Sequence, residues 1–162
     1  MKLLRWWLPF AFWLIVVPLV HGVLPWAIST LAPRHGWAAE SSPGRWNWIG
    51  LIPVTIAITV LIWIYAWKWW SAERVLKTPS LLAVEGPYRF TRNPIYIAYL
   101  STWLGWAIFF GSVSVLIAWL VLCLVANWIL VPREERDLRA AFGDSYLQYR
   151  SRVPRWFGKV KD

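Results

Sequence analysis

Three uncharged stretches organise the chain: Trp6 to Pro33, Trp46 to Trp67 and Asn93 to Pro132, of 28, 22 and 40 residues. A helix crossing the hydrocarbon core of a bilayer needs about 20 apolar residues, so the first two stretches predict one span each. The third is long enough for two if a turn falls near its middle, where FFGSVS at 109–114 supplies Gly111 and two serines. The pattern predicts an all-α polytopic membrane protein of four transmembrane helices, the third and fourth forming a hairpin. Pro9, Pro18 and Pro25 should kink or break the first helix.

Charge placement orients these helices. Of the 17 Lys and Arg residues, only Arg34 and Arg45 lie between the first and second helices. The others lie at the N-terminus, between helices two and three, or after helix four, and the positive-inside rule puts those regions, with both termini, in the cytoplasm. Composition agrees: 59% apolar residues, 18% aromatics and 16 tryptophans exceed what a soluble domain carries. The net charge of +9 then reflects topology and attraction to anionic headgroups. Nucleic acid is not an expected partner, since no recognition module accompanies the charge. A secretory signal peptide is the rival reading of the first 30 residues, with Lys2 and Arg5 ahead of the apolar run and WAA at 37–39 as a cleavage site. The run is too long for a signal sequence, and tryptophans at its ends suit interfacial anchors.

Several chemistries are excluded. One cysteine, Cys123, rules out a disulfide within the chain and a thiolate cluster. His21 and His35 have no acidic or cysteine partner at ligand spacing, so no metal is expected. Neither a Walker loop nor a Rossmann glycine fingerprint is present.

The informative polar residues flank the 40-residue stretch. Arg89, Arg92 and Asn93 precede the third helix, Asn127 lies within the fourth, and Glu134 and Glu135 follow it. A helical hairpin brings its two ends side by side, so the arginines and glutamates should share one pocket at headgroup level. Guanidinium binds a carboxylate through paired hydrogen bonds and a carboxylate binds an ammonium, which suits the amino-acid end of a ligand. Snorkelling arginines and glutamates favouring a helix N-terminus would produce the same placement. In the tail, Leu138, Ala141 and Phe142 fall at helical spacing, Gly143 is a breaker and Asp144 a candidate N-cap for a second short helix. An interfacial amphipathic helix would read similarly.

The segments EGPYRFTRNPIYIAYL at 85–100 and PREERDLRAAFGDSYLQYRSRVPRW at 132–156 resemble the isoprenylcysteine carboxyl methyltransferase and phospholipid methyltransferase group of integral membrane enzymes. That group's pattern reads G-x-Y-x-x-x-R-H-P-x-Y-x-G, about 35 residues, E-E, then F-G-x-x-Y-x-x-Y and V-P. Here 35 residues separate Ala98 from Glu134. The resemblance spans residues 80–157, a methyltransferase-like core that follows two N-terminal spans in 1–70, within a single membrane domain of residues 1–162. It departs from the pattern at Asn93, where the group has histidine, and at Ala98, where it has glycine. Asparagine still donates a hydrogen bond but carries no proton at neutral pH.

The resemblance implies methyl transfer from S-adenosylmethionine, entering from the cytoplasm, to a lipophilic acceptor arriving from the bilayer. Asn93, Tyr96 and Glu134 would hold the amino-acid end of the cofactor, supported by Glu135, while Tyr88, Arg89 and Pro94 complete that side of the site. Tyr146, Tyr149, Arg152, Val153 and Pro154 would fold back as a cytoplasmic helical lid over adenosine. Arg92 and Glu134 are the candidate catalytic residues: Arg92 to orient an anionic acceptor or hold the cofactor carboxylate, Glu134 to take a proton if the acceptor is an amine. Isoprenylcysteine carboxylate and an aminophospholipid headgroup both fit such a site. Membrane sterol reductases share an R-N-P or R-H-P element and a terminal Y-x-x-Y with V-P, so an NADPH-dependent oxidoreductase is one alternative. A non-catalytic membrane scaffold that keeps the fold is another. A bacterial inner membrane is preferred to the endoplasmic reticulum as the host.

Overall fold

The computed structural model describes residues 15–38, 42–75 and 82–160. Lys2, Arg5, Pro9 and part of the WAA segment lie outside them. The chain is helical: α1 (Ile15–Ser29), α2 (Leu51–Val75), α3 (Pro94–Phe110), α4 (Val113–Val125) and α5 (Val131–Arg152). A two-residue antiparallel pair, β1 (Trp37–Ala38) with β2 (Ser42–Pro43), lies between α1 and α2. Two helical stretches are long and apolar enough to cross a membrane, Asn47–Ala66 and the start of Val113–Arg152, while Ile15–Ser29 and Pro94–Phe110 are shorter apolar helices. The helices packed together in the chain leave large apolar side chains outward, among them Ile52, Ile56, Ile62, Ile117, Val121 and Leu124. That is the surface of a membrane protein, whose solvent is apolar.

The residues pack into two compact units, Met1–Val54 with Ser101–Leu120, and Thr55–Leu100 with Val121–Asp162. In the first unit, Pro25 opens a backbone position that a tryptophan fills. Pro25 has no N–H to bond the carbonyl four residues earlier, that of His21, and a π-helical turn, Leu19–Val23, sits at this point. The freed carbonyl accepts the Trp106 indole N–H at 2.6 Å, and the Trp103 indole donates to His21 Nδ1 at 3.1 Å. Two side chains of α3 thus fasten the proline-rich segment without any charge, which suits an apolar medium.

The turn expected at FFGSVS is present. Gly111 takes φ +55°, a left-handed conformation that ends α3, and Ser112 Oγ accepts the Val115 N–H at the start of α4. Asn47 closes the same end of the unit, its side-chain amide donating to the carbonyls of His35 at 3.2 Å and Ile108 at 3.0 Å. Gly50 and Gly105 meet face to face: a Cβ on either would press into the other's carbonyl oxygen. Small residues at such a crossing let helix backbones approach closely where no water drives them together.

In the second unit, α4 passes through a π-helical turn, Ala126–Leu130, before α5 begins. The cause is again a proline: Pro132 cannot bond the carbonyl of Trp128. Gly143 breaks α5 with φ +51° and ψ −124°, so residues after it leave in a new direction.

Gly105→Leu forces the Gly50 crossing apart and should lower the thermal unfolding midpoint in detergent, the cost of such overpacking being about 1–3 kcal/mol. Gly22→Ala, whose added Cβ meets nothing within 4 Å, is the control expected to leave it unchanged. Equal midpoints for both variants would show that the crossing does not hold the unit.

Candidate functional site

Three segments of the second unit converge on one carboxylate. The first precedes α3, where the 3₁₀ turn Gly86–Arg89 leads to Thr91, Arg92 and Asn93, and Pro94 occupies the first turn of the helix. The second is the start of α5. The third is the strap 153–156 that leaves α5 in extended backbone at Val153.

Glu135 lies between two arginines from the other two segments. Its Oε1 accepts Arg92 Nη1 at 2.6 Å and Arg155 Nε at 3.1 Å, and its Oε2 accepts Arg155 Nη2 at 2.6 Å. The Arg155 contact is a two-point fork, the strongest form of carboxylate recognition. The Glu135 and Arg92 side chains are 11% and 10% exposed, so the pairing is shielded from solvent. Arg92 Nη1 also donates to the Tyr146 hydroxyl at 3.2 Å, and Tyr146 is fully buried. The Glu135 hydrogen bonds push the Arg155 guanidinium still further up, against the smaller effect of burial.

Neutral hydrogen bonds fasten the strap around this centre. The Arg92 N–H donates to the Pro154 carbonyl at 3.0 Å, and the Arg155 carbonyl accepts both Thr91 Oγ1 at 3.0 Å and Asn93 Nδ2 at 2.9 Å. The Trp156 indole donates to Asn127 Oδ1 at 2.9 Å, tying the strap to the π turn. The Tyr149 hydroxyl donates to the Tyr88 carbonyl at 2.8 Å. The Asn93 amide, at the position of the family histidine, is thus committed to the backbone of the strap.

A cavity of about 280 Å³ opens beside this knot. Its polar wall is Tyr88, Arg92, Asn93, Glu134, Glu135 and Tyr146; Leu82, Leu138 and Phe142 make it apolar elsewhere, and Tyr149 adds a ring. Seven of the residues singled out from the sequence therefore share one cavity. Tyr96, in the first turn of α3, lies near Glu134 but does not line the cavity. Pro94 shapes the helix start, and the Pro154 carbonyl holds the strap. Arg89, Arg152 and Val153 instead border a second, open cleft of about 570 Å³, with Phe142 and Tyr149 common to both spaces.

The two glutamates are electrostatically distinct. Glu135 is held by two guanidinium groups, whereas Glu134 forms no ion pair among the described residues. Burial, followed by the negative charge of Glu134, pushes the Tyr88 phenol up to about 12. Burial also raises Tyr146 against the opposing hydrogen bond from Arg92. One atom of the wall lacks a partner: Arg92 Nε is buried with no hydrogen bond among the described residues. A buried guanidinium N–H left so is costly.

Sequence reasoning missed Arg155, Trp156 and Thr91. Arg155 lies one residue beyond V-P and looks like any other basic residue of the tail. Trp156 looks like any other of the chain's 16 tryptophans. Only the buried Glu135, a carboxylate that one arginine leaves half-satisfied, could have pointed to a second arginine nearby.

Glu135→Ala leaves two guanidinium groups facing each other, a loss on the order of 3–5 kcal/mol when a buried pair is broken on one side. It should release the strap, read as trypsin cleavage after Arg152 or Arg155 in detergent, whereas Glu134→Ala should leave the strap resistant. Equal resistance of both variants would remove Glu135 from this role. Alkaline titration gives a second check. Tyr88 ionises near 10 when unfolded and near 12 in place, so its contribution to stability is complete below pH 10 and is lost as pH rises through 12. The tyrosinate absorbance that disappears in Tyr88→Phe should therefore develop only well above pH 10; development at pH 10 would mean that the phenol is not enclosed.

With this geometry in place, the comparisons with known proteins are specific. The family of phospholipid methyltransferases matches residues 47–145, well over half of the chain. An uncharacterized protein of Haemophilus influenzae is 32% identical over 62 residues, 38% of this chain and 98% of its own length. A protein-S-isoprenylcysteine O-methyltransferase of Schizosaccharomyces pombe is 39% identical over 75 residues, 46% of this chain. The chain covers only 31% of that yeast relative's length. No solved structure matches. The extent of the family match, which takes in α2 to α4, the first part of α5 and both glutamates of the site, places the chain in the phospholipid methyltransferase family.

Proposed function

We propose that this protein transfers a methyl group from S-adenosylmethionine to a lipophilic acceptor at the cytoplasmic face of a membrane. The observation that carries the reading is the cavity whose wall holds both Arg92 and Glu134, the latter with no ion pair among the described residues. These are the complementary charges for a zwitterionic amino-acid end. The cavity's apolar and aromatic remainder suits a nucleoside.

In this reading Arg92 binds the cofactor carboxylate and Glu134 its ammonium, with Tyr96 close to the Glu134 carboxylate. Glu135 holds Arg92 in position. Phe142 and Tyr149 border both the cavity and the adjoining cleft, which gives adenosine an aromatic contact and room to extend toward Arg89 and Arg152. The cofactor supplies a methyl group on a sulfonium, with a neutral thioether as the leaving group. The chain must orient donor and acceptor in line and exclude water. A carboxylate or thiolate acceptor needs no base; for an amine, Glu134 is the group placed to accept the proton. The histidine-to-asparagine change at Asn93 removes no proton carrier from this scheme, because Asn93 serves the strap.

The acceptor enters from the bilayer. Four spans with both termini in the cytoplasm satisfy the charge distribution; α3, at 17 residues, is about 25 Å long and crosses with its flanking turns. A bacterial inner membrane is the preferred host.

Calorimetry on the detergent-purified chain tests the reading. S-adenosylhomocysteine should bind with micromolar affinity and Glu134→Ala should weaken it at least about tenfold, the loss expected when a charged hydrogen bond of about 1.5–3 kcal/mol is removed. Absence of binding to folded wild type would overturn it.

A further inference from the structure

Glu135 borders a second depression, of about 570 Å³, whose other walls are arginines: Arg133, Arg136 and Arg139 from before the Gly143 break and Arg150 from after it. Among the described residues none of the four makes an ion pair, and the carboxylate within reach, Glu135, is already held by Arg92 and Arg155. Four guanidinium groups without a counter-charge repel one another, and a groove lined by one sign concentrates the opposite ion.

The rest of the groove says what kind of anion fits. Its rim is Trp128 and Ile129, 73% and 59% exposed, from the π turn that ends the uncharged stretch. Val121 and Leu124 continue this exposed apolar surface along α4. The groove therefore straddles the level at which apolar surface gives way to charge, the headgroup level of a bilayer. An occupant matching both parts has acyl chains and an anionic head. It has no ammonium, since no free carboxylate lines the groove to receive one.

We propose that this groove binds one anionic phospholipid of the phosphatidylglycerol type, its phosphodiester held by Arg136, Arg139 and Arg150 and its chains lying along Trp128 and α4. The site is separate from the methyl acceptor's: an aminophospholipid would bring its ammonium among arginines. Because Glu135 borders both spaces, lipid in the groove neutralises the arginines that compete for Glu135 and leaves this carboxylate to Arg92 and Arg155.

The test does not depend on methyl transfer. The full chain, reconstituted in nanodiscs of phosphatidylglycerol and phosphatidylcholine, is released into detergent and its retained lipid counted by native mass spectrometry. Wild type should keep phosphatidylglycerol in preference to phosphatidylcholine, and Arg136→Gln/Arg139→Gln should lose that preference by about tenfold or more. Arg150→Gln alone should reduce it, and Arg45→Gln/Lys159→Gln, which removes the same charge elsewhere, should retain it. Equal retention of the two lipids by wild type, or equal loss in the control pair, would overturn the proposal in favour of general attraction to charge. Displacement of the lipid by inorganic phosphate at matched concentration would overturn it in favour of a phosphate site.

Discussion

A buried carboxylate has to be neutralised by its neighbours, and for Glu135 this is done by two arginines that lie far from it along the chain. Arg92 precedes α3, and Arg155 belongs to the strap after α5. The ion cluster therefore defines where three segments meet. Arg92 alone reaches only Oε1; the fork from Arg155 adds a second bond to Oε1 and the bond to Oε2. The net charge of the triad is positive, and Glu134, one residue before Glu135, restores balance at the cavity wall. Such a buried cluster is weak as a source of stability, since desolvation offsets most of the attraction. Its effect is to fix geometry: the Arg92 side chain, the strap and the first turn of α5 have one arrangement that satisfies all three charges.

The neutral contacts follow from that arrangement. Once Arg155 reaches Glu135, its carbonyl comes within reach of Thr91 and Asn93, and the next residue, Trp156, reaches Asn127 in the π turn. The π turn lies where Pro132 cannot bond the carbonyl of Trp128, as Pro25 cannot bond that of His21 at the π turn of the first unit. In the first unit the His21 carbonyl takes the Trp106 indole, whereas in the second the Trp156 indole goes to the Asn127 side chain. Glu134 and Glu135, adjacent in sequence, end in different surroundings because successive helix residues point about 100° apart: one faces Arg92 and Arg155, the other Tyr96 and the open cavity.

Much of this fold was legible in the residues. The apolar stretches located the helices, Gly111 located the turn between α3 and α4, and Gly143 located the break in α5; each is a local property of glycine, proline or hydrophobic run length. The gathering of Tyr88, Arg92, Asn93, Glu134, Glu135, Tyr146 and Tyr149 around one space was legible in the spacing of a family pattern, since a hairpin of fixed length brings its two ends together. What was not legible depends on partners distant in sequence. Nothing about Arg155 distinguishes it from Arg150 or Arg152 until Glu135 is seen to be buried. Trp156 resembles the lipid-facing tryptophans until Asn127 is seen opposite its N–H. The use of Asn93 as a backbone clamp required the strap to be in place.

Hydrogen–deuterium exchange of the full chain in detergent, with and without S-adenosylhomocysteine, tests the central claim, that the segment before α3 and the start of α5 form one site closed by the strap. The account predicts added protection at residues 86–97, 131–142 and 146–156 together, with none at the Gly50 and Gly105 crossing. Binding that protects only one of these segments, or that protects the first unit instead, would contradict it.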